Sequence, residues 1–98
     1  MESIWIVLAE ILVEPGDLPS GSTKSFARVT TWADSLESVR EKLSSYLETY
    51  KWHLLSMDDA HSIDEEHYYG EEIEDMIERT RENSDAIILG RFFSYKEN

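Results

Sequence analysis

From His61 to His67 the chain sets two imidazoles and three carboxylates, those of Asp64, Glu65 and Glu66, within seven residues. Divalent transition metals accept these ligand types, and His61, Asp64, Glu65 and His67 are the side chains that would hold one. The spacing matches no strong metal pattern. In H-E-x-x-H both histidines share one helical face, whereas His61 and His67 stand six positions apart in a stretch with no regular period. A calcium loop is excluded too, because Asp58 and Asp59 are adjacent and no glycine falls at the required turn. A solvated acidic segment is therefore the stronger reading, and a metal-binding domain or metal-dependent enzyme the alternative. No cofactor is expected.

Other chemistries find less support. Gly16 and Gly21 stand at the G-x-x-x-x-G spacing of a phosphate loop, but the lysine arrives only at Lys24 and the loop runs into a strand. Phosphate binding needs the free amides of a helix N-terminus at that place. There is no cysteine and no G-x-S-x-G elbow, and every serine lies in a cap, loop or helix-surface context. Asp64 and Glu71 or Glu72 could approach each other as an acid–base pair, yet among so many carboxylates such pairs arise by chance. The expectation is a protein that is not an enzyme.

Charge carries the clearer message. Ten carboxylates and no Lys or Arg lie between Lys51 and Arg79, in a chain of 98 residues with a net charge of -12. Like charges held together repel and weaken the folded state, so the concentration points to a cationic partner. Direct contact with nucleic acid or an anionic membrane is excluded, since both need a surplus of Lys and Arg. Carboxylates on a rigid surface can stand in for phosphates. The expected function is thus a small protein-binding module, of inhibitor or immunity type, that occupies the basic groove of a nucleic-acid-handling toxin or effector.

The residues expected to make that contact are Asp58, Asp59, Asp64, Glu65 and Glu66 in a loop, and Glu71, Glu72, Glu74 and Asp75 at a helix start. Tyr68 and Tyr69 stand among them where no apolar period demands a ring, and tyrosine is enriched at interfaces. Two structural explanations compete. Acidic residues at a helix N-terminus are favoured by the helix dipole, and the tyrosine pair could fold back over the helix start.

These residues must be positioned by one domain spanning 1–98, large enough to remove roughly 65% of its unfolded surface from water. Ile4 to Ala9 is apolar at both parities and continues to Val13, as a central strand covered on both faces requires. Glu14 to Ser22 holds both prolines and two glycines and reads as a loop. Lys24–Trp32 is β-favouring and should return antiparallel to the first strand. Asp34 and Glu37 form a capping-box pattern that opens a helix, in which Leu36, Val39, Leu43, Tyr46, Leu47 and Tyr50 share a stripe.

Trp52 to Met57 reads as a short strand, followed by the acidic loop and a second helix over Glu71–Asn83. Ala86 to Leu89 with Phe92 and Phe93 forms the last strand, where Gly90 marks a bulge or a close backbone approach. Trp5, Trp32 and Trp52 lie on or beside three strands and read as packing. The fold class is α+β in the order β-β-α-β-α-β. It is expected as a two-layer sandwich: a four-stranded, mostly antiparallel or mixed sheet with two helices on one face. A free edge at the second or last strand would allow a homodimer. Lack of cysteine, of a basic N-terminal region and of a long apolar run fits the cytoplasm.

Overall fold

The computed structural model describes residues 2–18, 21 and 23–93. Its elements are β1 (Ser3–Leu12), β2 (Lys24–Ala33), α1 (Leu36–Glu48), β3 (His53–Ser62), α2 (Glu71–Glu82) and β4 (Ile87–Leu89). The sheet order is β3-β1-β2-β4, and every neighbouring pair is antiparallel. This is the expected α+β class and element order. The second strand is internal, so the edges are β3 and β4.

β1 is central, as its apolar residues at both parities require. Val7, Ala9 and Ile11 are buried on one side and Ile4 and Ile6 on the other. β2 pairs with it in unbroken register, Val7 opposite Val29 and Ile6 opposite Thr30, so odd-numbered residues of both strands share a face. The connecting segment closes with the Val13 amide on the Thr23 carbonyl at 2.7 Å, and Gly16 supplies a φ of 90° there.

The two helices take opposite faces, which corrects the expectation of a single helical layer. On the odd face, Val39, Leu43 and Leu47 of α1 are fully buried against Val7, Ala9, Ile11, Ala27 and Val29. On the even face, Thr30 Oγ1 meets Thr80 Oγ1 of α2 at 2.8 Å, and the Trp32 indole donates to the Thr80 carbonyl at 2.6 Å. Thr30 and Val29 are neighbours in a strand and must point opposite ways. An apolar stripe says that a helix packs on a sheet but not on which side. Here both sides of β2 are buried around residues 29–31, so both needed covering.

Local boundaries differ in two places. The cap of α1 is Ser35, whose side chain accepts from the Ser38 amide at 3.1 Å, and not Asp34 one residue earlier. Ser35 is extended while Leu36 is already helical, which is where a cap oxygen can reach a first-turn amide. β3 extends to Ser62, past the Met57 expected, so Asp58, Asp59 and His61 belong to a strand and not to a loop. Backbone pairing with β1 from Trp5 to Leu12 holds these polar residues in place despite their low β-propensity. Bulges between Ile6 and Leu8 and between Glu10 and Ile11 accommodate them, with Asp59 at a φ of 51°.

The tryptophans tie elements together. Trp5 donates to the Ala33 carbonyl at 3.1 Å and Trp52 to Asp17 Oδ2 at 2.7 Å, beside the Trp32 bond already given. Gly90 is a close approach: its amide donates to the Arg28 carbonyl at 2.8 Å, and a Cβ there would lie 3.1 Å from both Glu72 Oε1 and Met76 Sδ. No described helix is long and apolar enough to cross a membrane.

Candidate functional site

α2 covers only part of the even face. Ile4, Ile6 and Thr30 lie buried beneath it, whereas Leu8 and Glu10 are half-buried and Arg28 is exposed. The uncovered part forms the floor of a cleft of about 560 Å³, lined by Ile6, Leu8, Arg28, Asp59, His61, Asp64, His67, Tyr68, Tyr69 and Ile73. A second cleft of about 360 Å³ adjoins it across Arg28, Tyr69 and Ile73, reaching Glu71, Glu72, Arg91 and Phe93.

The wall between them is built by the segment from Ile63 to Gly70. The Ile63 amide donates to the Ile4 carbonyl at 2.8 Å, continuing the β1 pairing. Asp64 Oδ1 then accepts from the Glu66 amide at 3.0 Å, and the Asp64 carbonyl from His67 at 3.0 Å, which folds the chain into a turn. Tyr69 closes it. Its hydroxyl accepts from the Asp64 amide at 2.9 Å, and its own amide donates to Glu74 Oε2 at 3.1 Å. Gly70 follows at a φ of 97° and opens α2 without a side-chain cap.

The sequence-singled residues divide into two groups. Five have work inside the chain: Asp64 and Glu74 as above, Glu65 on Arg81 at 2.6 Å, Glu72 on the Arg91 amide at 3.1 Å, and Asp75 with Arg79 at 3.8 Å. The Glu65 carboxylate holds the Arg81 guanidinium pKa above its usual value by hydrogen bonding, against an opposing desolvation. Asp58, Asp59, Glu66 and Glu71 are exposed, and their carboxylates have no hydrogen bond or ion pair among the described residues. Asp58 faces the same side as the cleft, opposite Leu8, and Asp59 lines it.

The tyrosines part company as well. Tyr69 is half-buried and structural, as the fold-back reading anticipates, whereas Tyr68 is 66% exposed on the cleft wall. The histidines do come near each other, but both rings lie against Tyr69, at centroid distances of 6.1 Å for His61 and 4.5 Å for His67. Among the described residues no group of three His, Cys, Asp or Glu side chains converges to hold a metal. Asp64 lines the first cleft and Glu71 and Glu72 the second, so the structure does not join them as a catalytic pair.

Sequence reasoning missed the floor. Ile6, Leu8 and Arg28 are far from the acidic segment in the chain, and strand parity alone puts them on its face; Arg28 at an even position between buried odd ones was the available signal. By contrast the α1 helix carries Glu37, Glu41 and Glu48 together with Arg40 and Lys42, a mixed surface. No family model, no curated protein and no solved structure matches this chain, so its functional reading rests on its own residues.

Proposed function

We propose that the chain is a small acidic binding module whose α2-side face docks onto a basic protein surface. The observation that carries this is a set of unpaired, exposed carboxylates near two adjoining clefts: Asp59 lines the first, beside Tyr68, Glu71 lines the second, Asp58 stands on the same sheet face opposite Leu8, and Glu66 lies in the turn between Asp64 and His67. A strand, a hydrogen-bonded turn and a helix start fix their backbones, so association has to order only the side chains. Their field steers a cationic surface toward them, and an exposed tyrosine supplies contact area at small entropic cost. A partner with a phosphate-binding groove, such as a nucleic-acid-handling toxin or effector, presents the complementary charge. On this reading the chain is its inhibitor.

The test captures the partner from the native source at low salt and releases it at high salt. Replacing Asp58, Asp59, Glu66 and Glu71 by Asn, Asn, Gln and Gln should slow association roughly tenfold or more. Replacing Glu37, Glu41 and Glu48 on the opposite face by Gln should leave it nearly unchanged. Equal effects from both sets would mean that net charge alone is at work, and the face assignment would fall.

A further inference from the structure

The two edges of the sheet differ in how they meet other chains. β3 carries two bulges, Asp58 and Asp59, and a positive φ at Asp59, which are devices that keep an edge from pairing. β4 is Ile87-Ile88-Leu89, protected by its shortness alone, without charge, proline or bulge. Its hydrogen-bond phase is fixed by the Gly90 amide on the Arg28 carbonyl. Ile88, opposite Thr30, therefore turns its backbone groups inward, and Ile87 and Leu89 turn theirs to the open side.

We propose that this edge pairs with β4 of a second copy of the chain, antiparallel, with Ile88 on the two-fold axis. The occupant is a second copy because the segment Asp85 to Arg91 is complementary to itself. Reversed about Ile88, it sets Ile87 against Leu89 and Ala86 against Gly90, and it brings Asp85, in the turn before the strand, to the same end as Arg91 of the other copy, just past its strand. The outward amides and carbonyls of Ile87 and Leu89 are then satisfied in both copies. Asp85 and Arg91 are both exposed, and neither side chain has an ion pair among the described residues. On the α1 side a shallow groove of about 510 Å³ opens beside this edge, lined by Glu41, Lys42, Ser45, Tyr46 and Ile87. Leu89 of the second copy comes to lie next to Ile87 at that groove.

The short paired segment and the charge of -12 on each copy make this a weak dimer that strengthens as salt is raised from low ionic strength. Its formation does not depend on the binding reading above: no residue from Asp85 to Arg91 lines the cleft that holds Asp59 and Tyr68, and Arg91 alone borders the second one. Two copies in one particle would present two such clefts to a partner.

Sedimentation equilibrium of the full chain, over a range of protein concentration at low and moderate salt, should show a monomer–dimer equilibrium. Asp85→Arg places like charges at both ends of the paired segment and should weaken association by about tenfold or more. The double variant D85R/R91D restores opposite charges and should recover it, with circular dichroism confirming the fold of each variant. A monomer at every concentration and salt, a dimer indifferent to D85R, or a double variant as weak as D85R would each overturn the proposal.

Discussion

The two faces of the sheet are sealed by different physics. On the odd face α1 brings Val39, Leu43 and Leu47 onto Val, Ala and Ile side chains, a dry seam in which all three helix residues have no exposure. On the even face α2 brings Met76 and Ile77, but its centre is polar: Thr30 and Thr80 share a hydrogen bond, Thr80 also donates to the Met76 carbonyl at 2.8 Å, and Trp32 donates to Thr80. Dispersion and dehydration do not depend on direction, while hydrogen bonds hold only in one arrangement. α1 is therefore held by apolar burial, whereas α2 is also fixed in one position by its polar contacts. Uncovered sheet remains beside α2, and the cleft occupies it.

The comparison breaks most visibly at Leu43. Leu43→Ala removes a fully buried side chain from the dry seam and should destabilise the protein by about 3 kcal/mol, within a usual range of ~2–5 kcal/mol for such truncations. Urea denaturation followed by tryptophan fluorescence reads it directly. A loss under about 1 kcal/mol would show that the odd face collapses around the gap and is not the rigid seam described.

Much of this division was legible in the sequence, and the rest was hidden for physical reasons. The alternation-free run from Ile4 to Ala9 revealed a strand covered on both sides, and the period of Val39, Leu43 and Leu47 revealed α1. The same logic applied to Val29-Thr30-Thr31-Trp32 contained the opposite-face answer, since two threonines and a tryptophan can be buried only with partners for their polar atoms. Such partners were not visible, because Thr80 lies fifty residues away. The length of β3 was hidden differently: Asp58 and Asp59 have poor intrinsic β-propensity, and the strand exists because β1 offers them backbone partners. The acidic segment was visible from composition alone, but not which of its carboxylates are already engaged.

The polar seam sharpens the comparison through its coupling. Thr80→Val removes one hydroxyl of the pair and should cost about 1 kcal/mol. Thr30→Val in the same background should add little, since the hydroxyl it removes has already lost that partner and keeps only its longer bond to the Met76 carbonyl, at 3.3 Å. A double-mutant cycle by urea denaturation should therefore show a coupling of about 0.5–1 kcal/mol. Strict additivity would mean that the two hydroxyls act separately and that α2 is held by its apolar contacts.

The turn on the α2 side is tied to the helix from outside by a short contact between a largely exposed Glu65 and a partly exposed Arg81. Glu65→Gln should lower stability by only about 0.2–1 kcal/mol, and less at high salt, because water and ions already screen the pair. Its larger consequence should be local. Hydrogen exchange at the amides of residues 64–67 should quicken while β1 and β2 remain unchanged. Uniform acceleration would make this contact a global support, contrary to its exposure.

The α1 side has its own small titrating element, and it tests the comparison at alkaline pH. The Tyr46 hydroxyl lies 3.5 Å from that of Tyr50, and this hydrogen bond, then burial and the neighbouring phenol's charge, raise the Tyr46 pKa above 10.0. A group whose pKa is raised on folding contributes stability that is complete below its unfolded value. That contribution disappears as the pH rises through the folded value, because the unfolded chain ionises first. Stability should therefore decline above about pH 10, where a free tyrosine titrates. Tyr46→Phe should flatten part of this decline with little change at neutral pH, as read by thermal denaturation against pH. An unaltered alkaline limb in Tyr46→Phe would place the loss elsewhere, and the α1 face would then owe nothing to its phenols.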